Sequence, residues 1–177
     1  LSPVPAPPSA PLAPRMADRP ADLPPLAPLP AGAPVSLDAI PTTPPAGLPR
    51  GDALARATEA LLERIEKLAS ALQAEGTRAL LGLLQARDAG GKDGTIRKVF
   101  GSVRPQGLRV TSFRAPAGAE LAHDFLWRVH GAVPPHGTVG VFNRSHYEDV
   151  LVARVRAYVP EAVWRARYAH IVAFERL

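Results

Sequence analysis

From Asp52 to Glu75, Leu54, Ala57, Leu61, Ile65, Leu68 and Leu72 recur at steps of three or four, while Glu63, Arg64, Glu66 and Lys67 fill the outer faces. This period predicts an amphipathic helix with Asp52 as N-cap and Gly76 as stop. A short coiled coil would show a similar stripe, but Thr58 interrupts a strict heptad, so packing on a sheet is expected. The period then changes. Ala79 to Gln85, apolar through Leu84, reads as a buried strand, and Lys92 to Ser102 as a helix. Leu108 to Phe113 is a second strand, Ala119 to Val133 a second amphipathic helix and Thr138 to Asn143 a third strand, with a turn at Pro134-Pro135-His136-Gly137 before it.

Strands separated by helices long enough to cross over predict a βαβαβ order and a parallel sheet, hence an α/β fold. After Asn143, SHYEDVL reads as a short helix and Glu161 to Leu177 as another, with Val163, Ala166, Ala169, Ile171 and Phe174 as apolar positions. A last helix in such a fold leads into a further strand, and three strands alone carry little core and exposed edges. The fold is therefore expected to be incomplete at the C-terminus. No solenoid repeat is visible.

Composition divides the chain near Arg50. Sixteen of its 21 prolines lie in the first fifty residues, which carry three basic and three acidic side chains and no aromatic residue. Residues 1–50 are expected to form a disordered or polyproline-like tail, and 51–177 one domain. The tail lacks the charged front and continuous apolar middle of a signal peptide, and since the sequence opens on Leu1, Met16 is a candidate start. Display of PxxP-type ligands is the alternative to a passive extension. The whole net charge of +5 falls on residues 51–177, with 18 Lys and Arg against 13 Asp and Glu, which points to an anionic partner. There is no cysteine, so disulfides and thiolate metal sites are excluded, which suits a cytoplasmic protein. No apolar run approaches the roughly 20 residues of a membrane span.

The densest chemistry lies in RALLGLLQARDAGGKDGTIR, where a strand stops at a Gly-rich loop with a lysine and a polar helix follows. Against the P-loop pattern GxxxxGK[ST], the frame from Ala86 keeps Gly91 and Lys92 but has Ala86 at the first glycine and Asp93 at the hydroxyl position. The chemistry survives these departures. Glycines let backbone N–H groups turn inward, lysine adds a cation and the helix start adds partial positive charge. The candidate phosphate-binding residues are Gly90, Gly91, Lys92, Asp93, Gly94 and Lys98. Asp93 also suits the first turn of a helix on dipole grounds alone. Asp88, a carboxylate in a phosphate cradle, is read as a magnesium ligand, with a local turn bond as the alternative.

In GTVGVFNRSHYEDVLVARV, Asn143 and Arg144 fall at the carboxyl end of the third strand, where ligands of open parallel sheets bind. Asn143 can give a hard cation an uncharged oxygen. Arg144 can clamp a phosphate or pair with Glu148 or Asp149. Ser145 and Glu148 stand at the spacing of a capping box. His146 and Tyr147 either border a nucleotide pocket or pack. His123 and His130 lack a third ligand for zinc. Arg87, Arg97, Lys98, Arg104, Arg109, Arg114 and Arg128 gather in and between the segments after the first two strands, as a polyanion track would require.

Four blocks in order, RDAGGKDGTIRKV, SVRPQGLRVTSF, AGAELAHDFLWRVH and GVFNRSHYEDVLVARV, resemble the polyphosphate kinase type 2 family, over roughly Glu75 to Leu177. The resemblance implies a P-loop kinase-like three-layer fold, like that of thymidylate kinase. It also implies magnesium dependence and reversible phosphoryl transfer between inorganic polyphosphate and a nucleoside mono- or diphosphate. By position, Asp88 and Lys92 match the family's Walker A aspartate and lysine, Asn143 its Walker B position in an FNRSHYE variant, and Arg144 the adjacent arginine. Asp88, Lys92 and Arg144 are thus the catalytic candidates, and Asp88 and Asn143 the metal candidates. The Arg-rich lid helix and final strands of the family would lie beyond Leu177. No membrane or nucleic-acid partner is expected, and self-association is left open. The rival readings are an ATP-dependent small-molecule kinase and a non-catalytic polyanion-binding fragment.

Overall fold

The computed structural model of the chain describes Gly32 and residues 34–177. The expected disorder of the tail therefore falls mostly outside the described residues. The chain divides into two compact units, 1–59 and 60–177. In the first, the described part before residue 51 is exposed apart from the half-buried Leu48 and Pro49, and has one short 3-10 turn, Leu37–Ala39. Helix α1 (Gly51–Glu75) starts one residue after the compositional boundary. Its Thr58 hydroxyl donates back to the Leu54 carbonyl at 2.8 Å, which satisfies a polar side chain in mid-helix without breaking it.

The second unit is built on three parallel strands, β1 (Leu80–Leu84), β2 (Leu108–Ser112) and β3 (Val139–Asn143), in the spatial order β1-β3-β2. The last strand is thus the central one. Val141 stands between Gly82 and Val110, and Asn143 between Leu84 and Ser112, so all three strands end level at one edge. Being covered on both faces, β3 reads VGVFN, nearly all apolar, as central strands of parallel sheets do. Gly140 is the exception with a reason: a Cβ there would meet the Pro134 ring at 2.7 Å, and that ring is buried on the strand. The outer strands are less covered, and Leu80 and Val110 are about half exposed.

Alternation along β3 sends Val139 and Val141 to one side and Phe142 to the other, and each side has its own core. The first contains Ala69 of α1, Val103, Val139 and Val141, with Ile96 and Phe100 of α2 (Lys92–Phe100) against them. The second contains Phe113, Leu126, Val129 of α3 (Trp127–Ala132) and Phe142, with Phe174 of α5 (Glu161–Glu175). Helices on both faces of a parallel sheet make the expected three-layer α/β fold. Helix α4 (Glu148–Val155) follows the β3 edge.

Two helices differ from the sequence expectation. The segment expected to be one helix from Ala119 to Val133 is a 3-10 turn, Gly118–Ala122, then an extended His123, then the short α3. The break comes from Asp124, whose Oδ1 accepts from the Leu126 N–H at 2.9 Å and offers the backbone an alternative to helix. The far end stops at Val133, which the following Pro134 forces to an extended ψ of 131°. Helix α2 ends at Phe100 instead of Ser102.

Candidate active site

β1 delivers the Gly-rich loop to the sheet edge. The turn into α2 is made by residues in left-handed conformations, Ala89 at φ 60° and Gly91 at φ 81°. Gly90 is required for a different reason: a Cβ there would lie 2.8 Å from Ala86 Cβ and 2.9 Å from the Arg87 carbonyl oxygen. The first helical bond runs from Thr95 N–H to Gly91 O at 2.9 Å, and no side chain caps α2. The N–H groups of Lys92, Asp93 and Gly94 therefore have no intrahelical acceptor, which is the arrangement that receives an anion. A Cβ on Gly94 would meet nothing within 4 Å. Lys92 folds back over the loop neck, its Nζ donating to the Ala86 and Arg87 carbonyls at 2.9 and 3.0 Å. Lys98, six residues further, is about 9 Å along the axis, exposed in the last turn of α2.

Across from the loop, Arg144 leaves β3 at φ 62°, a strained value for a residue with a Cβ. Two backbone bonds hold this corner. Arg144 N–H donates to Leu84 O and Phe113 N–H to Asn143 O, both at 3.0 Å. The guanidinium pairs with the Asp88 carboxylate through one nitrogen and with Glu148 at 3.4 Å through the other. Asn143 Nδ2 donates to Asp93 Oδ1 at 2.6 Å, so strand β3 and the first turn of α2 are tied directly. Asp88, Lys92, Asp93, Asn143 and Arg144 thus meet at one edge, as the sequence placed them.

The capping box does not form. Ser145 Oγ accepts from Tyr147 N–H at 3.2 Å and donates to Gln85 at 3.3 Å, while the Glu148 carboxylate faces Gln85 and Arg144. His146 is packing: it is buried, edge-on to Phe174, with Nε2 3.4 Å from Glu175. Tyr147 donates its hydroxyl to the same carboxylate, and burial together with that bond pushes its pKa up to about 12. His123 stacks on Trp127 at 4.1 Å, and His130 lies edge-on to Phe174 at 4.7 Å.

Beside Asp88 and Arg144 opens a cavity of about 1030 Å³, whose far wall is the segment after β2 with Phe113, Arg114 and His123, and whose floor is α4. Spacing gave no hint of what frames it. Arg128 donates to the Arg114 carbonyl at 2.7 Å, to Glu120 at 3.2 Å and to Asp149 at 3.3 Å. Arg167 of α5 reaches the Asp149 carbonyl at 2.6 Å and its carboxylate at 3.8 Å. Burial raises the Asp149 pKa, against the opposing pull of the two guanidiniums. The three residues come from three separate segments, and by sequence Arg128 is only one of a basic set. The acidic pair Glu148-Asp149, at the start of α4, was the available signal.

Among the described residues no cluster of three or more His, Asp or Glu is arranged to hold a metal. What the edge offers is the exposed Asp88 carboxylate and the Asn143 amide. Because Asn143 Nδ2 is used by Asp93, its Oδ1 is left as acceptor. One carboxylate and one neutral oxygen do not cage a cation, but they fit magnesium, which keeps water and substrate phosphates for most of its shell.

Comparison with known proteins assigns the chain to a family. The family model for polyphosphate kinase 2 matches residues 50–177. An AMP/ADP-polyphosphate phosphotransferase of Meiothermus ruber is 57% identical over 125 residues, covering 71% of this chain and 47% of that protein. An ADP-polyphosphate phosphotransferase of Rhodopseudomonas palustris is 43% identical over 127 residues, covering 65% and 44%. The crystal structure of polyphosphate kinase 2 from Arthrobacter aurescens superposes with a TM-score of 0.76 at 39% identity, covering 84% of this chain and 53% of that one. The chain spans about half the length of the curated relatives it matches.

Proposed function

The chain belongs to the polyphosphate kinase 2 family, and on that premise we propose that the protein transfers phosphoryl groups reversibly between inorganic polyphosphate and a nucleoside mono- or diphosphate. The observation that carries the reading is the meeting of the uncapped α2 amides, Lys92, Asp88 and Arg144 at one edge of the sheet, with Asp88 and Arg144 also lining the adjoining cavity. Its volume is at the upper end of the range for small-molecule sites, large enough for a nucleotide.

Phosphoryl transfer asks little covalent chemistry of a protein, so positioning and charge neutralisation are its tasks. Backbone N–H groups of Lys92 to Gly94 receive phosphate oxygens, within the Gly90-Gly91 turn that lets the chain approach. Lys92 exchanges two neutral carbonyls for an anionic oxygen, a gain in electrostatic terms. Arg144 exchanges Asp88 for the moving phosphoryl group while Glu148 keeps its other nitrogen oriented. Asp88 and Asn143 would hold magnesium, which when bound neutralises charge on the bridging oxygens. Lys98 serves the polyphosphate further along α2. A cytoplasmic setting is part of this proposal. No helix among the described residues is long and apolar enough to cross a membrane.

The test is transfer by the purified chain with polyphosphate, magnesium and AMP or ADP, beside Lys92→Ala. Polyphosphate-dependent ADP or ATP formation, lost in Lys92→Ala at an unchanged melting temperature, is the expected result. Activity with ATP and a third substrate but none with polyphosphate would favour the small-molecule kinase. Binding that falls steeply with salt, ignores magnesium and survives loss of Asp88 would favour a polyanion-binding fragment.

A further inference from the structure

We propose that Arg128 is a positioning residue that sets the width of the cavity, and through it the affinity for the acceptor nucleotide. The second part rests on the functional reading above; the first does not. Arg128 leaves α3 with its side chain only 10% exposed, and its partners come from three other segments. The Arg114 carbonyl, at 2.7 Å, belongs to the chain just after β2, and Phe113, whose ring centroid is 5.4 Å from the guanidinium carbon, is its neighbour. Glu120 belongs to the 3-10 turn of the cavity wall and also accepts the Ala117 N–H, so the charge contact and the turn's own closure share one carboxylate. Asp149 belongs to the first turn of α4, beside Glu148, the carboxylate that holds Arg144.

One rigid fork therefore ties the wall bearing Arg114, Leu121 and His123 to the helix that aims Arg144. Asp149 is held from its other side by Arg167, which itself lies 4.8 Å over the Phe125 ring, so the anchor point of the fork is fixed. Geometry explains why an arginine occupies this position. A guanidinium has five donors in fixed directions and can serve a carbonyl and two carboxylates at once, whereas a lysine ammonium is a single point of charge on a flexible stem. Without the fork, the Glu120 and Asp149 carboxylates lose the cation they share, and the wall moves outward. The α2 amides and Lys92 are not among its partners, so the polyphosphate grip is left in place.

The native sequence has no cysteine, so a single spin-label pair can be placed at Leu121→Cys and Val155→Cys, two exposed positions on the cavity lining. Pulsed dipolar spectroscopy should give a narrow distance distribution with Arg128 and a broader, longer one with Arg128→Lys, which keeps the charge and the fold. Arg128→Gln should broaden it further. In the same background, titration with AMP or ADP should show affinity at least tenfold weaker in Arg128→Lys, with polyphosphate affinity within twofold of native. An unchanged distance distribution overturns the proposal. So does equal weakening for both ligands, which is what a merely structural role would give. If the native chain binds no nucleotide, the functional reading fails, and the distance measurement still decides whether Arg128 sets the width.

Discussion

The two sides of the cavity use the same chemistry, arginine against carboxylate, in opposite physical settings. On the loop side, the Asp88 side chain is 90% exposed and Arg144 34%. On the wall side, Arg128, Asp149 and Arg167 are only 10 to 17% exposed. An exposed pair in water is worth about 0–1 kcal/mol, so Asp88 and Arg144 can separate and take new partners at little cost. A buried network has already lost its hydration, and removing one member strands the others. The comparison teaches that burial, not the identity of the pair, separates groups that can exchange ligands from groups that hold the frame.

Breaking the exchangeable side should therefore cost rate without costing fold. Arg144→Gln is expected to slow polyphosphate-dependent transfer by on the order of a thousandfold. Urea unfolding should move by less than about 1 kcal/mol. A large loss of stability would show that Arg144 belongs to the frame. The opposite pattern is expected for Asp149→Ala, which leaves Arg128 and Arg167 buried without their shared carboxylate. Equilibrium unfolding should record a loss of about 3–5 kcal/mol, and a loss under 1 would erase the distinction between the two sides.

Backbone positions sharpen it further. Gly90→Ala drives a Cβ into Ala86 and the Arg87 carbonyl, a cost of about 1–3 kcal/mol with a displaced loop. Gly94→Ala, in α2 with open space before it, should be neutral or stabilise by up to about 1 kcal/mol. Denaturant curves of the pair separate steric need from helix propensity. A further small effect concerns Tyr147, whose hydroxyl is raised from 10.0 to about 12 by burial and the bond to Glu175. Because the folded value exceeds the unfolded one, its contribution is full below about pH 10 and is lost as pH rises through about 12. Tyr147→Phe should lower stability at neutral pH by about 1 kcal/mol. Melting curves between pH 10 and 12 should fall less steeply than those of the native chain.

Local pattern was enough for much of this molecule. The apolar runs of β1 and β3, the polar restart at Lys92 and the extent of α1 are set by period and by glycine and proline, which act within a few residues, although Leu54 and Leu68 of the expected α1 stripe are exposed and Ala69 is the buried position. The parallel βαβαβ order followed from them, and so did the meeting of the Gly-rich loop with Asn143 and Arg144, because parallel strands bring their carboxyl ends to one edge. Other features were not readable this way. The helix expected over Ala119 to Val133 had the right period, but the Asp124 side chain competed for the backbone. Ser145 and Glu148 had the spacing of a cap, yet Gln85, sixty residues earlier in the chain, drew both side chains away.

The sequence by itself determined the element order, the three-layer class and which residues meet at the carboxyl edge of the sheet, since each depends on contacts local in the chain or on strand direction alone. Tertiary structure decided that β3 is the central strand, that Arg144 rests between Asp88 and Glu148, and that Arg128, Asp149 and Arg167 form one buried frame. Those facts depend on which distant side chains share a desolvated space. No spacing encodes that, because the energy of burying a charge is fixed by every segment that surrounds it.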